Sequence, residues 1–252
     1  MLWVGTSGWQ YDSWRGRFYP QHLATTRWLP HYARRFPTVE VNNTFYRLPE
    51  RPTFERWAAE TPEGFLFACK LSRYLTHVRR LRDPDEAVGR FLDRAAGLGD
   101  RLGPLLLQLP PTLGVEPDRL AATLAAFPPS VRVAVELRHV SWFSEEVAAV
   151  LHEHGAALCW SDRHSRLLSP LWRTTDWVYV RLHEGTARPR PSYGRRALES
   201  WIRRIGDATD GEGYVYFNND ANACAPRNAA QLATLAARSG LPVTTARNPV
   251  RQ

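Results

Sequence analysis

Residues 131–161 read VRVAVELRHVSWFSEEVAAVLHEHGAALCWS, and the order of patterns inside them decides the fold. Val131–Glu136 is a short β-branched run that ends on a charge. Ser144 stands where a helix N-cap is wanted, ahead of Glu145–His154, and Gly155 stands where that helix must stop. Ala156–Ser161 is a second apolar run. Strand, capped helix, glycine and strand make a βαβ unit, the connection that parallel strands need.

The same alternation extends in both directions. Further apolar runs lie at Leu2–Thr6, Thr38–Asn42, Phe65–Lys70, Pro104–Leu109, Trp177–His183 and Tyr214–Asn218, making eight in all. Several are continuously hydrophobic, as strands covered on both faces are. Helical patterns separate most of them. Asp83-Pro84-Asp85-Glu86 supplies a cap, an N1 proline and early acids before Ala87–Leu98, and Gly99 follows. Pro117 opens Asp118–Phe127, where Leu120, Leu124 and Phe127 share one stripe. Thr53–Glu60, Arg195–Ile205 and Ala225–Arg238 are further helices. The reading is one α/β domain over residues 1–252, a (β/α)8 TIM barrel, for which about 250 residues is typical. An open flavodoxin-like sheet is the alternative, and it usually needs fewer strands. Asp162–Asp176 is short and contains Pro170, so helix six is expected to be short or irregular. The tail 241–252 is expected to pack loosely.

Composition narrows the class. The chain is 44% hydrophobic and 23% charged, the balance of a globular protein. No apolar run reaches the roughly 20 residues that span a bilayer, and the first residues lack a signal-peptide pattern. Cys69, Cys159 and Cys224 are isolated, fitting reduced thiols in a cytoplasmic protein. A net charge of +8 admits a nucleic-acid partner, but no basic block of five or six residues occurs. Of the 33 basic residues only Lys70 is lysine. Arginine cannot form an imine or lose its proton at ordinary pH, so one retained lysine is expected to mark a site needing an ammonium or an amine.

Polar residues close the strands. The ends carry Thr6; Glu40 and Asn42; Lys70; Gln108; Glu136, Arg138 and His139; Asp162; Arg181 and His183; Asn218 and Asn219. In a parallel barrel these ends share one rim, the place where barrel enzymes put their sites. Buried charges there need partners, and Glu40 with Lys70 and Glu136 with Arg181 are natural pairs.

A set of short motifs then brings a family into view: Val4-Gly5-Thr6-Ser7-Gly8-Trp9, Tyr11, Trp14, Gly16, Tyr19-Pro20, Val39-Glu40, Asn42, Thr44, Tyr46 and Thr61-Pro62. They continue with Phe65, Phe67, Lys70, Thr76-His77, Gln108-Leu109-Pro110, Val135-Glu136, Arg138-His139, Ser141-Trp142, Tyr179, Arg181, His183, Phe217-Asn218-Asn219 and Asn228-Ala229. On these residues the chain resembles the YecE-like family, barrel proteins of unknown function, from Val4 to about Leu235. The resemblance implies the barrel and no particular reaction. One local departure is Glu184, where glycine usually follows the histidine directly.

Three chemistries fit the rim. The first is an enzyme acting on a phosphate- or carboxylate-bearing small molecule. Arg138 and Arg181 would clamp the anion, Glu40 and Glu136 would divide acid and base roles, Lys70 would act as amine or cation, and His183 would be a second acid/base group. Thr6, Asn42, His77, Gln108, His139, Asp162, Asn218 and Asn219 complete the expected contacts. The second is a metal-dependent phosphodiesterase or endonuclease. No cofactor is expected; a divalent metal, if bound, would take Glu40, Glu136, Asp162 and His183, although arginines nearby repel a cation. The third is a non-catalytic module binding nucleic acid or ligand, with Trp9, Trp14, Trp142 and Trp160 as stacking aromatics near the rim; Trp57 and Trp201 read as core. His152-Glu153-His154 reads as exposed surface, its histidines two apart and so on different helix faces. No dinucleotide fingerprint, Walker loop or serine-hydrolase elbow is present.

Overall fold

A computed structural model describes residues 1–246. Its strands are β1 (Leu2–Ser7), β2 (Thr38–Val41), β3 (Leu66–Lys70), β4 (Leu102–Gln108), β5 (Val133–Glu136), β6 (Ala157–Arg163), β7 (Arg166–Leu167), β8 (Val178–Leu182) and β9 (Gly213–Phe217). Eight of them pair in parallel, in the order β1, β2, β3, β4, β5, β6, β8, β9, and β9 returns to β1. The ring is closed, which excludes the open-sheet alternative. β7 stands outside it and pairs antiparallel with β6.

The helices are α1 (Trp28–Ala33), α2 (Asn43–Tyr46), α3 (Arg51–Ala59), α4 (Pro84–Ala95), α5 (Pro117–Ala125), α6 (Glu145–Glu153), α7 (Arg195–Gly206) and α8 (Cys224–Arg238). The Ser144 hydroxyl accepts from the Val147 N–H, so the expected cap forms. Gly155 ends α6 with φ +59°. α4 starts at Pro84 as expected, but Asp83 caps nothing: its φ is 45° and its carboxylate pairs with Arg79. Between β6 and β8 the expected irregularity is complete, and no helix forms there. A hairpin replaces it, turning on His164 and Ser165, both with positive φ (52° and 58°). The tail is tighter than expected as far as it is described. Leu2 N–H donates to Pro242 O at 2.7 Å and Thr244 N–H to Leu2 O at 2.9 Å. Residues 247–252 of the expected loose tail lie outside the described residues.

Strand periodicity sorts the core into two shells. Outward-facing Val39, Phe67, Leu105, Leu107, Val135, Val180 and Val215 pack under the helices. Inward-facing Ala68, Leu106, Ala134, Ala157, Cys159, Trp177, Tyr179, Tyr214 and Tyr216 fill the barrel. Small residues on β3, β5 and β6 make room for the large rings of β8 and β9, so the interior is a packed plug, as in other such barrels. The ring of Tyr216 lies 5.2 Å from that of Tyr179. Above this aromatic floor the next inward residues are Ser7, Glu40, Lys70, Gln108, Glu136, Ser161 and Arg181. Register sets them level: Ser7 is opposite Glu40, Gln108 opposite Glu136, and Ser161 opposite Arg181.

Candidate active site

Arg181 is the hub of the barrel mouth. It is 2% exposed, and Glu40 and Glu136 are 0% and 1% exposed. Its Nε donates to both Glu40 oxygens, at 3.0 and 3.2 Å, and its Nη2 donates to Glu40 Oε1 at 2.8 Å and Ser7 Oγ at 3.2 Å. Its Nη1 donates to Glu136 Oε2 at 2.6 Å. Glu40 also accepts from Ser7 Oγ and from the Tyr179 hydroxyl at 2.7 Å. Glu136 accepts from Arg138 Nη2 at 3.1 Å and contacts His183 Nε2 at 3.0 Å. Asn218 Nδ2 meets the other ring nitrogen, Nδ1, at 3.1 Å. With Asn218 Nδ2 as the donor, Nδ1 accepts and the proton of a neutral His183 lies on Nε2, toward Glu136.

The electrostatics follow from these contacts. Burial alone would raise Glu40 and Glu136, but the Arg181 guanidinium and the donated hydrogen bonds outweigh it, and both carboxyls are held below their ordinary range. The expected division of acid and base roles between them therefore fails, because one arginine pushes both the same way. Burial lowers His183 against the opposing pull of Glu136. The expected Glu40–Lys70 pair does not form either, since Arg181 takes both glutamates.

Lys70 is what this arrangement leaves over. It is 8% exposed, and its Nζ stands 3.8 Å from the Phe45 ring centroid. No acceptor bonds that Nζ among the described residues; only burial and the surrounding charges act on it. Burial and then Arg181 lower its pKa, Glu136 and Glu40 oppose them, and the outcome is about 8. His77 is close by, its Nδ1 2.8 Å from Thr76 Oγ1 and its ring against Phe45 at 4.9 Å. Arg138, partly exposed, and Gln108, buried beside Glu136, complete this side of the mouth. Asn42 Nδ2 donates to Ser7 Oγ at 2.5 Å.

Four expected contacts fall elsewhere, three of them for one reason. Thr6, Asp162 and Asn219 are one residue out of phase with the inward positions, so their side chains point to the helix layer. Thr6 Oγ1 bonds Gly8 O and the Tyr32 hydroxyl. Asp162 accepts from the Tyr193 hydroxyl and, at 3.0 Å, from Trp201 Nε1, with burial raising it to about 6. Asn219 Nδ2 donates to Pro191 O and Asn228 Oδ1. His139 faces its own turn, with Nδ1 2.7 Å from Ser141 Oγ. The expected metal ligands are accordingly not brought together. Asp162 faces α7, and the cation between Glu40 and Glu136 is Arg181. Among the described residues no group of three His, Cys, Asp or Glu side chains is placed to hold a metal. Trp9, Trp14, Trp142 and Trp160 are at most 3% exposed and form no open rim. Ser7, Tyr179 and Phe45 are the site residues that the rim pattern missed; the inward parity of Arg181 would have pointed to Tyr179, two residues before it on the same strand.

Fold and site together define a class: closed (β/α)8 barrels whose C-terminal mouth holds an arginine chelated by two buried glutamates beside an unpaired lysine. The chain belongs to the DUF72 family, described as a protein of unknown function, whose pattern matches residues 3–252. It is 34% identical to the UPF0759 protein YecE of Escherichia coli K12 over 148 residues, 58% of this chain. That match covers 51% of YecE, about half its length. It is 25% identical to the UPF0759 protein YunF of Bacillus subtilis 168 over 270 residues, covering 93% of this chain and 94% of YunF. Among solved structures, a DUF72 family protein of Thermotoga maritima superposes with a TM-score of 0.82 at 29% identity, covering 93% of this chain and 98% of the other. One from Enterococcus faecalis gives 0.79 at 20% identity and full coverage of both chains. Among the described residues no helix is long and apolar enough to cross a membrane.

Proposed function

We propose that the barrel mouth is an enzyme active site that binds a phosphate- or carboxylate-bearing small molecule and uses Lys70 as its working amine. One observation carries the reading: the chain's single lysine is almost fully buried and has no acceptor, while Arg181 is neutralised by carboxylates. Its Nζ lies over the Phe45 ring and is not fully enclosed, and a largely desolvated ammonium with no anion beside it is costly. Such a group is retained where a ligand supplies the missing charge, or where the amine must be neutral part of the time.

Both uses are available near pH 8. Protonated, Lys70 and the free edge of Arg138 present two cations to an anion or to a developing oxyanion. Neutral, its amine can add to a substrate carbonyl carbon; the carbonyl oxygen then leaves as water and an imine remains. Glu136, Glu40 and Arg181 act as a rigid charged wall beside the amine that does not itself exchange protons; burial and Arg181 lower the amine's pKa, and the two glutamates oppose them. His77 borders the same opening, its ring against Phe45. The metal-dependent alternative has no observation of its own in its favour.

The test uses the fact that only Lys70 and the N-terminus carry amines. Carboxylated carbonyl compounds such as pyruvate and glyoxylate are incubated at pH 8 with borohydride, and adducts are located by mass spectrometry. A Lys70 adduct that disappears in Lys70→Arg supports imine chemistry. If Lys70 forms no adduct and its acylation rate follows an ordinary lysine pKa, the reading is refuted.

A further inference from the structure

The charge and the exposed apolar surface of this molecule are concentrated on one face. The segments that follow the barrel strands at their C-terminal ends are residues 8–27, 42–50, 71–83, 109–116, 137–144, 164–177, 183–194 and 218–223. They hold 13 arginines against seven acidic residues, so they carry +6 of the chain's net +8. All surround the mouth except the end of the sixth, where residues 173–177 run down to the opposite end of the barrel and the charges of Arg173 and Asp176 cancel. The large hydrophobic side chains that stand exposed among the described residues are Tyr46, Tyr74, Val78, Val115, Val140, Leu167 and Leu168, with Met1 as the one case outside these segments. Among the described residues the helical face thus shows no exposed large hydrophobic side chain, and the opposite end of the barrel shows Met1 alone. A site for a small anion needs one or two cations, and a rim this basic reaches much further.

The rim also contains a shaped cleft. Tyr46 and Tyr74, 75% and 43% exposed, stand with Arg73, Arg90 and Arg94 around a space of about 190 Å³ between the loops after β2 and β3. Phe45 belongs to the same cleft, and its ring also carries Lys70 Nζ. The cleft and the candidate active site are therefore neighbours that share an aromatic residue. Arg90 and Arg94 pair with Glu86 and Glu50, which leaves Arg73 as the cleft's exposed cation.

We infer that this face binds single-stranded nucleic acid, with a base in the Tyr46–Tyr74 cleft and the phosphates along the arginine rim. Aromatic faces interleaved with basic side chains are the recognition chemistry of single strands, because unpaired bases stack and phosphates attract the cations. A duplex keeps its bases paired and offers the tyrosines nothing to stack on. An anionic lipid surface would use the charge and Leu167–Leu168 and would ignore the cleft. The inference extends the Lys70 reading by naming a carrier for its substrate, but strand binding is measured independently of any reaction at Lys70.

The experiment is fluorescence anisotropy with the full chain and a labelled 20-nucleotide single strand, titrated with salt. Binding at 50 mM salt that weakens steeply by 200 mM is expected. Tyr46→Ala and Tyr74→Ala should each weaken binding at least about fivefold, the low end for loss of one stacked base. Arg73→Ala should lower the slope of log affinity against log salt by about 0.7, the value for one phosphate on a single strand. All three side chains are at the surface, and circular dichroism confirms that the variants fold. No binding at 50 mM salt overturns the inference. So does a duplex of the same sequence binding equally well with both tyrosine variants unchanged, or binding only to phosphatidylserine vesicles. None of these outcomes alters the borohydride result at Lys70, so the two readings fail separately.

Discussion

Arg181→Met tests whether the mouth is held together as the contacts indicate. Four of the five guanidinium N–H groups are used, and the removed charge leaves Glu40 and Glu136 at 0% and 1% exposure. The two glutamates are not equally orphaned. Glu136 keeps Arg138 and His183, so its loss is that of one charged hydrogen bond, about 1.5–3 kcal/mol. Glu40 keeps only the Ser7 and Tyr179 hydroxyls and no cation. A buried carboxylate in that position takes up a proton rather than remain charged. The cost is then set by its ordinary pKa of about 4.3 and rises by roughly 1.36 kcal/mol per pH unit above it. That makes about 5 kcal/mol at pH 8 and about 1 kcal/mol at pH 5 for Glu40 alone. A domain's whole stability is about 5–15 kcal/mol.

The sign of the pH dependence reverses with the substitution. In the native chain both glutamates titrate below their unfolded values, so their stabilisation is present above about pH 4.3 and is lost as pH falls through the depressed folded values. In Arg181→Met burial acts on Glu40 unopposed, its folded value lies above the unfolded one, and stability increases as pH falls between them. Urea unfolding of both proteins at pH 8, 6.5 and 5 should show a difference that shrinks by about 4 kcal/mol across this range. Arg181→Met with Glu40→Gln should recover most of the loss at pH 8. A difference under 1 kcal/mol at pH 8, or one equal at pH 5, refutes the hub.

Lys70→Met removes a largely buried lysine whose ammonium has no anion beside it. The folded Lys70 pKa of about 8 lies below its ordinary 10.5. The unfolded chain therefore binds more protons between these values, and native stability rises through that window by about 2–3 kcal/mol; in the variant this part of the rise should be absent from urea midpoints at pH 8 and 10. Asp162→Asn separates the rim from the helix layer, because that carboxylate faces Tyr193 and Trp201. With its folded pKa raised to about 6, the native Asp loses stability as pH rises from about 3.8 to 6. The amide should match it within about 1 kcal/mol at pH 7 and leave borohydride trapping at Lys70 unchanged, and a large loss of trapping would return Asp162 to the site.

The closed ring, the eight strands and the helix starts at Pro84, Pro117 and Ser144 were legible because each rests on local chemistry: apolar runs, N1 prolines and a hydroxyl cap. The rim on which the candidate site lies was legible for the same reason, since strand ends are sequence features. What was not legible is which way each terminal residue points. Thr6 and Ser7, Asp162 and Ser161, and Asn219 and Asn218 are adjacent pairs of similar polarity, and only the pleat separates inward from outward. Counting by twos from Arg181 selects Tyr179 and His183 on its own strand, but phasing between strands depends on barrel register, which no short stretch encodes. The hairpin after β6 was hidden because its turn uses His164 and Ser165 where Asn-Gly would announce it. The pairing was misassigned because two glutamates and two cations admit more than one matching, and the bidentate reach of Arg181 lets it satisfy both glutamates at once.

That reach explains the division of labour between the two basic residue types in the mouth. A planar guanidinium presents donors along two edges, so Arg181 can chelate Glu40 through Nε and Nη2 while Nη1 holds Glu136. Its charge is permanent, and the two carboxylates are consequently locked as anions. A lysine there would be a point charge able to serve one carboxylate well. Position 70 has the opposite requirement. Arg181 and Arg138 have already engaged both carboxylates, so a cation there has no carboxylate of its own, meets a repelling neighbour and has only the Phe45 ring face against it. An arginine would stay charged under those conditions, whereas an amine can give up its proton near pH 8. A chain that uses arginine at 32 of its 33 basic positions departs from that habit at the one inward-facing place where the local field makes loss of a proton accessible.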